Sequence, residues 1–252
     1  MDFDLQLFSA IDGLALAVFA VCWLLYEPLL KQRGRSRTVL NTDLQSVRAA
    51  WMGAMSRRTD SRFIDGQLMG HALNSASFFA SANLILIAAA AGVLFGGQDA
   101  WRRVSDVGIL AQAPRQLFEL KLGLVTVALS RGLLDFIWSI RQMNYIFAVI
   151  GAAPERGSPE LLHRYGQAAA AILNPAMSSF NAGVRGYYFA LAAAAWLVGP
   201  VPFFAATLGA TGLLLWRQSH SRASRGVRAV RDILAEPVEA DAPPPAEPRS
   251  PI

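Results

Sequence analysis

LVTVALSRGLLDFIWSIRQ, residues 124–142, is the stretch on which the fold class turns. It is as apolar as a membrane-crossing helix, yet Arg131 and Asp135 lie inside it and Arg141 stands near its end. In water such charges need no partners. In hydrocarbon an arginine at mid-span costs about 2.5 to 3.5 kcal/mol on insertion scales and faces protein or water.

The surrounding chain points to lipid. Of the 252 residues 54% are hydrophobic and only 16% charged, well outside the range of an average globular protein. The apolar residues also come in long runs, such as the unbroken Leu14 to Leu25. A hydrocarbon core about 30 Å thick asks for roughly 20 such residues per helix. Five spans are therefore expected, near residues 8–29, 73–95, 117–147, 179–198 and 200–216, in an all-α integral membrane helical bundle over 1–234. A Pro-rich tail, 235–252, is expected to be disordered. The segment before the first span, MDFDLQLF, is acidic where a secretory signal needs a basic flank, so the first span is expected to be retained.

Charge placement orients the bundle. With the N-terminus outside and five crossings, sixteen Lys and Arg fall in cytoplasmic segments and three, Arg102, Arg103 and Arg115, in outer ones. That is the asymmetry expected of a multi-pass protein with a cytoplasmic C-terminus. The excess of Arg over Lys and the abundant Ala suggest a bacterial chain, hence the inner membrane. The weak point is the last hairpin, whose VGPVP turn leaves little outer loop; a hairpin that does not fully cross is the alternative.

Two cytoplasmic amphipathic segments are expected. Leu40, Leu44, Val47, Trp51 and Met55 recur at helical spacing, giving a helix that either lies on the membrane with Trp51 at headgroup level or packs on the bundle. A second, SPELLHRYGQAAAAILNP, opens with Ser158 and Pro159 and is expected to stop at Asn174, before Pro175. The basic segment after residue 216 suits acidic lipid at the cytoplasmic face better than nucleic acid.

The intramembrane polar residues form the candidate site. Arg131 and Asp135 are four apart on one helix face, and Trp138, Gln142 and Tyr145 continue the stripe. Asn74, Ser77 and Ser81 fall in one arc of the second span, with His71 a turn before. Asn181, Arg185 and Tyr188 share a face of the fourth, and Glu27 closes the first. All are expected at one cytoplasm-facing level, as a single network. Asp12 reads as interfacial and is expected to matter less to stability than Asp135. Cys22 is the sole cysteine, so it reads as a packing residue. His71, His163 and His220 are scattered, no catalytic motif stands out, and neither a metal site nor a cofactor is expected.

The stretches NSASFFASANLILIA (74–88), FELKLGLVTVALSRGLLDFIWSIRQMNYIFAVIGAAP (118–154) and FNAGVRGYYFALAAAAW (180–196) resemble the membrane family catalogued as domain-of-unknown-function family 599, over roughly residues 8–233. The resemblance implies a membrane helical bundle and no particular activity.

Two functions lead, with a membrane enzyme as a third. The first is a non-enzymatic membrane protein that binds or assembles with a membrane-protein partner or a second copy of itself. The second is a small-solute or lipid transporter or binding protein using a cytoplasm-facing Arg/Asp cavity. A sealed ion-pair core would favour the former, and a cavity around Asp135 and Arg185 the latter.

Overall fold

The structure, a computed structural model, describes residues 9–36, 40–98, 102 and 114–236, without the side chains of 29–36. Among these residues the chain is all-helical: α1 (Ala10–Ser36), α2 (Leu40–Arg57), α3 (Phe63–Phe95), α4 (Arg115–Gly151), α5 (Pro159–Ala194), a 3-10 turn (Ala195–Leu197), α6 (Pro200–Ser219) and α7 (Arg222–Ala235). The Pro-rich tail beyond Glu236 and most of the expected outer loop, residues 99–101 and 103–113, lie outside the described residues. By length and composition, α1 over Ala10–Pro28 and α3 over Phe63–Phe95 can cross a membrane.

The spine is the antiparallel pair of α4 and α5. Along α4, Leu122, Val125, Leu129, Gly132, Phe136, Ser139, Met143, Ile146 and Ile150 are all buried, alternating three and four residues apart. That spacing is the a/d seam of a coiled coil, the pattern by which side chains of one helix pack between those of its neighbour. The facing seam on α5 is built from small residues, among them Gly166, Ala169, Ala176, Gly183, Gly186, Ala190 and Ala193. Large knobs on one helix and small residues on the other bring the backbones close. A Cβ on Gly186 would stand 3.0 Å from Gly132 Cα, and one on Gly183 would stand 2.7 Å from the Phe136 ring.

Two apolar cores stack along this spine. In one, Phe19 of α1, Leu129 of α4, Phe189 of α5, Trp196 and Phe203 of α6 are buried together. In the other, Met52 and Met55 of α2, Met69 of α3, Met143 and Ile146 of α4 and Leu173 of α5 do the same. Between them Phe79 stacks on Phe136 with ring centres 5.8 Å apart.

α2 settles one of the alternatives. It is packed on the bundle rather than laid on a surface: Met52, Gly53, Met55 and Ser56 are buried, and a Cβ on Gly166 of α5 would meet Gly53 Cα at 2.7 Å. Trp51 is anchored by its Nε1, which donates to Asp65 Oδ1 at 2.7 Å. Arg48 donates to Asn174 Oδ1 at 3.2 Å, and burial pushes its guanidinium below its ordinary value.

The expected stop at Asn174 is incorrect. α5 runs through Pro175 as one helix of 36 residues, joining the second amphipathic segment to the fourth span. A proline inside a helix loses one hydrogen bond and costs about 3 kcal/mol. Here Pro175 sits on the exposed side, while its neighbours Leu173 and Ala176 are fully buried and Ser139 Oγ donates to Ala176 O at 2.8 Å. Packing on α4 outweighs the local penalty. Ser158 does cap the start, accepting from Leu161 N–H.

Asp12, expected at an interface, is enclosed by protein. It is 6% exposed, beside the equally buried Lys121. Trp196 Nε1 donates to its Oδ1 at 2.7 Å, and Ser9 Oγ donates to its Oδ2 at 2.6 Å while accepting from its N–H. The bond from the Asp12 N–H to Ser9 Oγ caps the start of α1, with Ser9 at the N-cap and Asp12 in the third helical position. Lys121 Nζ lies 5.7 Å from the centre of the Trp196 ring, within cation–π range. One carboxylate thus starts α1, holds the end of α5 and faces a buried cation on α4.

Two predictions follow from this packing. Gly186→Ala and Gly166→Ala should each lower the unfolding free energy by about 1 to 3 kcal/mol, the usual cost of overpacking. Gly212→Ala, whose Cβ meets nothing within 4 Å, should be neutral or stabilising by up to about 1 kcal/mol. Thermal unfolding of the three purified variants separates them. Asp12→Ala should cost about 3 kcal/mol, since it orphans a buried indole N–H and leaves a buried cation without its counter-charge. Asp135→Ala should cost less, and adding Lys121→Met to Asp12→Ala should recover part of the loss; a larger effect at Asp135 would contradict this ranking.

Candidate functional site

α1 and α4 do not close against each other along their whole length. A cleft of about 580 Å³ lies between them, floored by α5. Its walls are Trp23, Leu24 and Val127, its floor is Ala182, Gly186 and Phe189, and Tyr26, Glu27, Arg131, Asp135 and Arg185 supply its polar lining. The floor is low because Gly186 is one of the close-contact glycines of the α4–α5 seam.

Each charged group arrives by a short local logic. Arg131 and Asp135 are one helical turn apart on α4, and the guanidinium donates to the carboxylate through Nε at 3.2 Å and Nη2 at 3.4 Å. These bonds are long for an ion pair, and the Arg131 side chain is 61% exposed. Arg185 instead reaches across from α5 to Glu27 of α1, with its guanidinium 5.6 Å from the centre of the Tyr26 ring. Tyr26 is 3% exposed, and its hydroxyl is buried with no hydrogen-bond partner. A buried hydroxyl without a partner is costly, so it marks a place where one belongs.

The site therefore offers two guanidiniums and two carboxylates at one end of an apolar slot. Guanidinium N–H groups match phosphate or carboxylate oxygens, and the carboxylates can accept from an ammonium; the phenol hydroxyl lies enclosed behind them. The second cavity, about 700 Å³ at the loops 58–63 and 150–156, differs in kind. Its Arg62 is already spent on carbonyls, donating to Ala153 O at 2.9 Å and Pro154 O at 2.8 Å, which makes it a loop clamp.

The expected single network divides. Glu27, Arg131, Asp135 and Arg185 come together at the cleft. Tyr188 does not join them; its hydroxyl accepts from Arg217 of α6 at 2.6 Å. Asn181 is half-buried without a bond to the cleft groups. Asn74, Ser77 and Ser81 are exposed on the outer face of α3, because that helix meets α4 through Met69, Ala76 and Asn83. His71, Trp138 and Tyr145 are exposed as well. Gln142 is buried, but it donates to Ser179 Oγ and Trp138 O within the spine.

Asn83 and Tyr26 are among the polar groups that the sequence does not single out, as are the buried Asp65 and Lys121. Asn83 is buried and donates to Leu129 O at 2.8 Å, fastening α3 to α4; the seven-residue steps from Met69 to Ala76 to Asn83 are the available signal. Tyr26 carried no signal at all, because only the tertiary structure shows that its hydroxyl lacks a partner.

No curated protein and no solved structure matches the chain. The family described as "Protein of unknown function, DUF599" matches residues 14–223, which takes in α1 through the start of α7 and every residue of the cleft. The chain belongs to that family.

Proposed function

We propose that this is a multi-pass membrane protein that holds an amphiphile of the phospholipid class in the α1–α4 cleft, by binding rather than by catalysis. The observation that carries the reading is the placing of Arg131 and Arg185 at the head of an apolar slot, where their guanidinium N–H groups outnumber the bonds they make. A headgroup phosphate would meet both guanidiniums, and an acyl chain would lie along Trp23, Leu24, Val127 and Phe189. Of the two leading functions, the cleft supports the binding or transport role, since its ion pairs line a cavity instead of sealing a core.

Membrane embedding rests on what the bundle leaves uncovered. Along α3 only Asp65, Met69, Ala76 and Asn83 are buried, while Phe78, Leu84, Ile85, Leu86 and Phe95 stand open, Ile85 at 69% exposure. In water such a face is an aggregation liability; in hydrocarbon it is an ordinary helix surface. Five spans fit this reading: α1, the second half of α3, the first half of α4, the end of α5 and α6. The N-terminus is then outside and the C-terminus cytoplasmic, in a bacterial inner membrane. From Asp12 to Glu27, α1 rises about 22 Å, which sets the charged end of the cleft at the inner-leaflet headgroups and its apolar end toward the bilayer centre.

The test is native mass spectrometry of the protein extracted in mild detergent. One phospholipid-class molecule should stay bound per chain. The double variant Arg131→Gln with Arg185→Gln should lose it, since each charge-assisted hydrogen bond contributes about 1.5 to 3 kcal/mol, and Val127→Trp should exclude it by filling the slot. Thermal unfolding confirms that the variants are folded. A wild-type protein released free of lipid, or folded variants that keep it, would overturn the reading.

A further inference from the structure

Helix α7 is docked the wrong way round for a soluble protein. Its apolar residues Val230, Ile233 and Leu234 are 45%, 64% and 54% exposed. The edge that meets the bundle is polar: Ser224 is fully buried, Arg231 pairs with Asp43 of α2, and Arg228 Nε lies 3.8 Å from the same carboxylate. Asp43 is itself 0% exposed, so the two arginines are turned inward by a buried counter-charge. The 100° step of a helix then places the apolar face rather more than a third of a turn away from the docked edge. Arg222 and Arg225 remain exposed, and Asp232, the one acid on the helix, is engaged by Arg231 at 2.6 Å.

From this we infer that α7 is a membrane-surface helix, whose Val230, Ile233 and Leu234 enter the acidic inner-leaflet interface. Three observations select that occupant. α6 ends at Ser219 and α7 begins at Arg222, so α7 cannot leave the level at which α6 exits the bilayer by more than a short turn. The exposed Trp216 and Arg217 are the residue types that anchor a helix end at that level. The free charges beside the apolar face, Arg222 and Arg225, are basic and match anionic headgroups. The Asp43 contacts fix the rotation of the helix about its own axis, so the apolar face is presented without any rearrangement on binding.

The inference rests on the membrane reading above but not on the cleft. Its test uses the full chain in a Cys22→Ser background, with single cysteines at 233, 225 and 85 carrying an environment-sensitive fluorophore. The protein is placed in vesicles of phosphatidylcholine, with and without phosphatidylglycerol, containing a lipid with a nitroxide high on its acyl chain. The probe at 233 should be quenched and blue-shifted, more so with phosphatidylglycerol, and the probe at 225 far less. Arg222→Gln and Arg225→Gln should each weaken the effect at 233 about fivefold. A probe at 233 that stays in water while the one at 85 is quenched would overturn the inference and leave the embedding intact. Loss of quenching at 85 as well would remove both. Energy transfer between labelled copies at 233, without lipid quenching, would overturn it in favour of a second copy of the chain.

Discussion

The backbone of α4 meets the backbone of α5 at Gly132 and Gly186, and the rest of the bundle is arranged around that contact. Small-to-small helix crossings draw their stability from van der Waals contact rather than from the release of water, and they work in lipid as well as outside it. The approach also fixes register. Phe136 can lie over Gly183 only at this setting, and Asn83 can reach Leu129 O only if α3 follows α4 at the matching height. Once α4 and α5 are locked, Arg131 and Asp135 necessarily stand at the edge facing α1, and Arg185 stands opposite Glu27.

The two charged clusters on α1 show how burial decides what the same chemistry does. At one end Asp12 is enclosed by Trp196, Lys121 and Ser9, with its acceptor oxygens used by the protein itself. Breaking such a group leaves charge buried without compensation, so its role is to hold three helices together. At the other end the pairs Arg131–Asp135 and Arg185–Glu27 line an open slot, and guanidinium N–H groups outnumber the bonds made there. Free donors at the head of an apolar slot describe a site able to accept something.

Much of this was legible in the sequence, and the failures have physical reasons. Apolar run length gave the helices, and the i, i+4 spacing gave the Arg131–Asp135 pair. The 3-4 seam of α4 from Leu122 to Ile150 was present as well, but it was hidden because that helix is apolar on nearly every face. Asn74, Ser77 and Ser81 were assigned inward because polar residues in a span are expected to face protein; serine and asparagine are tolerated outward where the helix nears the headgroups, and periodicity does not show depth. Pro175 read as a stop because local propensity was weighed without the packing that overrides it. Asp12 was underrated because its partners, Lys121 and Trp196, lie more than a hundred residues away along the chain.

The existence of the cleft follows from where the covering helices end. α4 and α5 are about 55 Å long, far longer than a bilayer core is thick, so on the membrane reading the spine serves two solvents. α1 covers one half of it, through the core that includes Phe19 and Phe189. α2 covers the other, through Met52 and Met55. The α1 cover becomes polar at Glu27, whereas α2 engages α5 only from the level of Gln45, Arg48 and Asn174. Between those levels the face of α5 at Ala182, beside the Gly186 contact, is left open to the cleft. A coiled coil must bury that face or leave a groove, and on the proposed membrane reading the groove falls at the height where lipid gives way to water. An amphiphile is the molecule whose own change from apolar to charged occurs over the same few ångströms.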